Sequence, residues 1–303
     1  MSSTKRFQCK DCGSTSTHII GKLPNVNTFA GKLISPALQG GYLVECKNCW
    51  LKFRSTEFDQ PTLNEMYDGG LSEWEVDKNR NDWKLLSSYI DENYPNSVSV
   101  LDIGCNRGEI LAQINSRNER YGLEINSKAA AIAKKLEGIT VWDKYSDIPT
   151  NKKFDVIFST DVIEHISSPT SFLTPLFDML NDNGSLIITT GDSNNVFSKL
   201  FGSKWWYCYF PEHVSFISKK WIKYFTGNHN ITIKSIKKYY YHNLSFIKRI
   251  RLLVTSFIFS LINQNYQTKI LSIIHKTEHP NRFQIGKNVS KDHILVVLKK
   301  QVQ

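Results

Sequence analysis

Two rhythms of apolar and polar positions run along the middle of the chain. Val98–Ile103 is a short apolar run that predicts a buried strand; Gly104–Gly108 reads as a tight turn and Glu109–Asn115 as the start of a helix. A strand is predicted at RYGLEI (120–125), a helix at SKAAAIAKKLEG (127–138) and a short strand at ITVW (139–142). FDVIFST (154–160), SPTSFLTPLFDML (168–180) and GSLIITT (184–190) then read as strand, helix and strand. Strands alternating with helices predict an α/β fold, a parallel sheet with helices on both faces. Upstream, residues 57–97 turn polar, with Trp83, Leu86 and Ile90 at helical spacing before Pro95 and Asn96. Downstream, a helix is predicted from Ser218 and a last strand at HILVVLKK (293–300).

This patterning divides the chain into a small module at 1–56, a helical linker covering the ligand at 57–97 and the main domain at 98–303. An aromatic and basic insertion occupies about 239–291. Within it, Leu252–Ile262 is an apolar run of eleven residues, too short for a bilayer span of about 20. Two readings stand for this run: a helix lying on a membrane surface with Lys248, Arg249 and Arg251 near anionic lipid, or a buried helix. The 303 residues carry a formal charge of +10, which favours an anionic partner such as a nucleotide, nucleic acid or membrane surface. The start has no apolar signal region, so the six cysteines are expected to be reduced and the protein cytoplasmic, or peripheral at the inner face of the membrane.

Four of those cysteines form two equal knuckles, Cys9-Lys-Asp-Cys12 and Cys46-Lys-Asn-Cys49, around a Gly- and Pro-containing stretch. Four thiolates in this spacing suit tetrahedral Zn2+ in a small zinc ribbon, and with every ligand supplied by the protein the ion would be structural. A redox dithiol is the other reading. Cys105 and Cys208 are expected to be unligated.

The turn after the first strand of the main domain selects its ligand. It contains neither a Gly-x-x-x-x-Gly-Lys phosphate loop nor Gly-x-Gly-x-x-Gly. Instead Asp102 ends one strand and Glu124 the next, where a carboxylate can accept ribose hydroxyls. Acids there suit a cationic ligand such as S-adenosylmethionine. VLDIGCNRGEIL, YGLEIN, FDVIFSTDVIEHISSP and GSLIITT resemble the successive motifs of class I S-adenosylmethionine-dependent methyltransferases over roughly Val98–Ile236. The resemblance implies a Rossmann-like sheet. It also implies that Asp102, Gly104 and Gly108 shape the methionine pocket, Glu124 binds ribose and Asp161 lies beside the transferred methyl. Asn106 stands where the family has a further glycine, which a left-handed backbone accommodates. Asp161 has a helix-capping alternative. Asp143 or Tyr145 is a candidate for flanking adenine, and His165 is read as a packing or capping residue rather than a base.

Beyond the fifth strand of this domain, Trp205, Trp206, Tyr207, Tyr209 and Phe210 precede Glu212 and His213. Aromatic faces beside a carboxylate and an imidazole suit a carbohydrate or planar ring, with His213 able to take a proton; the other reading is a structural lid. The segment FPEHVSFIS and the zinc module together resemble bacterial sugar methyltransferases, whose deoxysugar C-methylating members carry a YHEHxSYFS-like segment. Glu212 and His213 match it, while Phe210 and Pro211 replace its Tyr and first His; the loss of that hydroxyl counts against C-methylation, O-methylation needs only His213 as base, and O- or C-methylation both stay open. The function expected is methyl transfer to a sugar nucleotide or lipid-linked glycan intermediate of cell-surface polysaccharide or deoxysugar biosynthesis. The alternatives are ribosomal RNA base methylation, which the DVIEH segment disfavours, quinone or lipid methylation, and a catalytically inactive binding scaffold. Oligomeric state is open.

Overall fold

The computed structural model describes residues 6–29, 32–56, 80–262, 266 and 285–301. The part of the helical linker at 57–79 and most of the second half of the 239–291 insertion lie outside these residues.

The central sheet has seven strands: β6 (Ser99–Ile103), β7 (Glu119–Leu123), β8 (Ile139–Trp142), β9 (Phe154–Thr160), β10 (Leu180–Gly191), β12 (Ile231–Tyr239) and β13 (His293–Lys300). Their order is β12-β13-β10-β9-β6-β7-β8. β6 to β10 run parallel, and β13 enters antiparallel between β10 and β12. This is the Rossmann-like sheet expected of a class I methyltransferase.

Alternate residues of each strand feed opposite faces, as a two-residue side-chain period requires. Leu101, Ile103, Ile157, Leu186, Ile188 and Val296 pack on one face with Leu173, Leu176 and Phe177 of α4 (Pro169–Asp178) and with Trp221, Ile222 and Phe225 of α6 (Lys219–Asn228). Val100, Val156, Phe158, Ile187 and Val297 pack on the other with Trp83, Leu86 and Ile90 of α1 (Asn81–Asn93). Burial on both faces explains why these strands read as nearly continuous apolar runs.

Two short helices fill the crossovers. α2 (Glu109–Gln113) starts from Gly108 at φ 78°. α3 (Ser127–Ala133) is capped by Asn126, whose side chain accepts from the Ala129 amide at 2.9 Å. α3 ends at Ala133, five residues short of the helix predicted over 127–138, and Gly138 at φ 68° then leads the chain into β8. β10 begins at Leu180, earlier than the predicted 184, because Leu180 already pairs with Phe154 before a register break.

The amino-terminal module holds β1 (Thr17–Lys22), β2 (Val26–Phe29), β3 (Lys32–Leu38), β4 (Tyr42–Cys46) and β5 (Lys52–Arg54). Its four-stranded sheet, β1-β4-β5-β11, is completed by a strand from far along the chain, β11 (Ser215–Phe216). Ser215 pairs with Phe53 and Phe216 with Lys52. α5 (Val196–Phe201) and short helical turns at Gly202–Lys204 and Trp206–Tyr209 lie between β10 and β11. After β12 comes α7 (Phe246–Leu261), whose only fully buried residue is Ser256. Among the described residues no helix is long and apolar enough to cross a membrane.

Candidate active site and cysteine cluster

A cavity of about 820 Å³ opens over the carboxyl ends of β6, β7 and β9, where open parallel sheets place their ligands. Asp102, Gly104, Asn106 and Glu124 line one side; Glu164, His165, Tyr207, Phe210, Glu212, His213 and Tyr241 line the other, with Asp161 between them. The sequence-predicted residues of both halves therefore meet in one space. Gly108, at the start of α2, does not line the cavity; its neighbours are Leu136 and Ala133 of the crossover. Asp143 and Tyr145 do not line the cavity, and Asp143 is ion-paired with Lys134 at the surface.

The first half is shaped by backbone geometry. Gly104 has φ 81°, and a Cβ there would meet Val162 Cγ2 at 2.5 Å. Asn106 adopts the left-handed conformation at φ 48°, as its place in the turn requires. Glu124 accepts from the amides of Asn106 at 2.8 Å and Asn126 at 2.7 Å, so its carboxylate ties β7 to the glycine turn. Burial nevertheless raises its pKa, against the pull of those amides.

Asp102 is 1% exposed, and neither carboxylate oxygen has a hydrogen-bond partner among the described residues. Burial, with Glu124 and Glu109 as neighbouring acids, holds its pKa well above the usual carboxylate range. A buried acid without a partner is costly unless a cation or donor meets it. The ammonium and sulfonium of S-adenosylmethionine fit that demand, and Glu124 has the acceptor capacity for ribose hydroxyls.

Asp161 ends β9 at φ 52°. Its Oδ2 accepts from Arg80 Nη2 at 2.5 Å and from the Tyr241 hydroxyl at 3.2 Å. Arg80 also binds Asp82 and stacks 4.7 Å from the Tyr241 ring. Burial opposes its charge, but Asp161 and Asp82 outweigh that and raise its pKa further. Arg80 went unnoticed in the sequence because a polar helical stretch carries no mark for the arginine that will face an acid 81 positions away.

The second half is built on a buried pair also missed in the sequence. Glu164, fully enclosed, accepts from the Tyr207 hydroxyl and, at 3.0 Å, from Thr190 Oγ1. Burial, reinforced by Asp161, pushes its pKa up to about 8. Of the tyrosines in the aromatic segment, Tyr207 is in the cavity wall and Tyr209 is not.

His213 is 8% exposed, and its Nδ1 lies 2.9 Å from the Tyr207 carbonyl. Burial, helped by His165 and Arg54, drives its pKa well below that of a free histidine, so the ring is neutral. The carbonyl assigns the proton to Nδ1 and leaves Nε2 as the acceptor. His165 packs with its ring centre 5.0 Å from that of His213 and also lines the cavity. Its Nδ1 meets the Glu212 carbonyl at 3.1 Å, and burial lowers its pKa to about 4.

Arg54 anchors this loop to the amino-terminal module. The side chain is buried, and it donates to the carbonyls of Cys208 (2.8 Å), Phe210 (3.0 Å), Gly40 (3.1 Å) and His213 (3.3 Å). Nearby, the sulfurs of Cys9, Cys12, Cys46 and Cys49 all lie within 4.8 Å of one another, with Cys9–Cys49 and Cys12–Cys46 each at 3.6 Å. That is close to the ~3.8 Å edge of a tetrahedron with Zn–S bonds of about 2.3 Å, and far too long for a disulfide of about 2.05 Å. Cys105 and Cys208 are buried elsewhere.

The sequence profile of a methyltransferase domain matches residues 73–229. Among curated proteins, the chain is 26% identical over 114 residues to a ubiquinone biosynthesis O-methyltransferase of Rickettsia canadensis, covering 35% of this chain and 47% of that protein. It is 24% identical over 194 residues to a mitochondrial ubiquinone biosynthesis O-methyltransferase of Schizosaccharomyces pombe (58% and 66% covered). A tRNA U34 carboxymethyltransferase of Tolumonas auensis is 28% identical over 131 residues (39% and 40%). The chain spans about half the length of the curated relatives it matches. Among solved structures, the plantazolicin methyltransferase BpumL in complex with a triazolic desmethylPZN analog and SAH is 17% identical, covering 73% of this chain and 84% of that one at a TM-score of 0.47.

Proposed function

Because this chain belongs to the methyltransferase-domain family, we propose that it transfers the methyl group of S-adenosylmethionine to a hydroxyl oxygen. Asp102, Gly104, Asn106, Gly108 and Glu124 hold the donor, and His213 is the base. The observation that carries this reading is the neutral His213 imidazole, its Nδ1 committed to the Tyr207 carbonyl, in the same cavity as the unpartnered Asp102 carboxylate.

Bound S-adenosylmethionine supplies a methyl group on a positively charged sulfur. Asp102 offers a buried carboxyl group that the donor's cationic end would draw into its charged form. Glu124 presents acceptors to the ribose while its amide contacts keep it in place. Asp161, held by Arg80 and Tyr241, sets the wall between donor and acceptor. Nε2 of His213 takes the hydroxyl proton, leaving the lone pair on oxygen with which methyl transfer begins. Glu212, whose carbonyl holds His165, and the ring of Phe210 close the pocket around that oxygen.

The low basicity of His213 favours an acidic hydroxyl. A phenol with a pKa of about 10 gives up its proton to such a base far more readily than an aliphatic hydroxyl near the ~15.7 of water. An aromatic acceptor agrees with the Trp206, Tyr207, Phe210 and Tyr241 rings lining the cavity and with the quinone-pathway names of the relatives. The sugar or lipid-linked glycan hydroxyl is the second reading; it rests on the four-cysteine module ahead of this fold and on the PEHVSFIS segment. The cysteine cluster, on the same proposal, holds one structural zinc ion.

The test is release of S-adenosylhomocysteine with panels of catechols and other phenols and of sugar nucleotides. Phenols are expected to turn over, and His213→Ala is expected to lower that turnover at least a hundredfold with cofactor affinity unchanged. Full activity of His213→Ala removes it as base; turnover of sugars alone moves the conclusion to the second reading.

A further inference from the structure

The outward face of α7 is the part of the molecule that the proposed chemistry leaves unused. Phe246 (75% exposed), Ile250 (47%), Val254 (53%), Phe257 (51%), Ile258 (51%) and Leu261 (79%) recur at helical spacing on its solvent side. The opposite side carries buried Ser256, which accepts from the Gly286 amide at 3.0 Å. An amphipathic helix normally turns its apolar stripe inward; here the stripe points away from the protein. Arg251, exposed, borders it, and exposed Lys248 lies further round the helix on the same side.

The basic residues of the chain cluster in the stretch of sequence that contains α7. Residues 213–277 contain eleven of the 38 Lys and Arg and none of the 28 Asp and Glu, so the excess of +10 resides in this stretch. We propose that α7 docks the protein onto an anionic lipid bilayer, with its apolar face in the headgroup boundary and its basic border on the lipid phosphates. Nucleic acid would satisfy the charge but leave the apolar face in water. Tyr241 and His242, just before α7, and Lys287, just after Gly286, line the active-site cavity. Docking therefore brings the cavity mouth to the lipid surface. Resting on the proposed methyl transfer, this points to an acceptor with a lipid tail that is presented from the membrane.

The experiment is flotation of the full chain with vesicles of phosphatidylcholine, with and without phosphatidylglycerol. The wild type is expected to float with the anionic vesicles and to release as salt rises. Lys248→Ala with Arg251→Ala lowers partitioning about thirtyfold, from about fivefold per charge. Val254→Ser with Phe257→Ser and Ile258→Ser lowers it more than tenfold. Calorimetric affinity for S-adenosylhomocysteine stays unchanged in every variant, which separates failure of docking from failure of the methyl-transfer reading. The proposal is overturned if the wild type stays with the lipid-free fraction or if the serine variant floats as well as wild type. It is equally overturned if light scattering shows a dimer that the serine changes dissociate, or if the basic changes abolish binding to bulk RNA while vesicles are ignored.

Discussion

Replacing Arg54 with methionine keeps most of the buried stem and removes the four donations to Cys208, Phe210, Gly40 and His213. A hydrogen bond to a charged group contributes about 1.5–3 kcal/mol, but the guanidinium gives back part of the total in lost hydration. Burial lowers its pKa to about 10, which records that cost. Each buried carbonyl left without its donor costs about 1–3 kcal/mol. Three of the four carbonyls belong to the loop that carries His213, and the loss should therefore concentrate there. A displacement of about 1 Å at the base is enough for roughly a hundredfold in rate. Arg54→Met is expected to lower kcat on a phenolic acceptor by about two orders of magnitude. The affinity for S-adenosylhomocysteine, read by calorimetry, should stay within about threefold, because Asp102 and Glu124 stand on β6 and the end of β7. The urea midpoint should fall as well. Unchanged kcat, or cofactor affinity lost in step with kcat, would refute the reasoning.

Glu124→Ala removes the acceptor of the Asn106 and Asn126 amides and should weaken S-adenosylhomocysteine binding at least tenfold by calorimetry. Glu164→Gln should alter the dependence of stability on pH. With a folded pKa of about 8 against an unfolded value of about 4.3, Glu164 contributes stability that is fully present below the unfolded value and lost as pH rises through 8. Urea unfolding should show the Gln variant falling less than wild type between pH 5 and 9; parallel curves would count against the buried, protonated acid. His165, with its pKa lowered to about 4, acts in the opposite sense. Its stability is present above about pH 6.5 and lost as pH falls toward 4, a decline His165→Gln should reduce. Zinc measured by plasma emission should be one ion per chain, falling to none in Cys46→Ser with Cys49→Ser, and its loss should depress acceptor turnover more than cofactor binding.

The donor half was legible in the sequence because its determinants are local. Asp102, Gly104, Asn106 and Gly108 follow one another within seven positions, and Glu124 ends the next strand. Strand, turn and acid therefore announce one another. The two cysteine knuckles were legible by spacing alone. The acceptor half depends on pairs brought together by the whole fold: Glu164 with Tyr207 43 positions on, Arg80 with Asp161 81 positions on, and Arg54 with His213 159 positions on. No periodicity marks such partners. The place of His165 beside His213 was not legible for the same reason, since the two rings are brought together from positions 48 apart.

The placement of β13 also orders the assembly of the protein during synthesis. β12 touches the rest of the sheet through β13, so the last described strand is the wedge that admits the one before it. More than fifty residues separate the end of β12 from the start of β13, an interval of roughly 3–10 s at about 5–20 residues per second on the ribosome. For that time β12 lacks the neighbour that pairs with it from Ile231 to Tyr239.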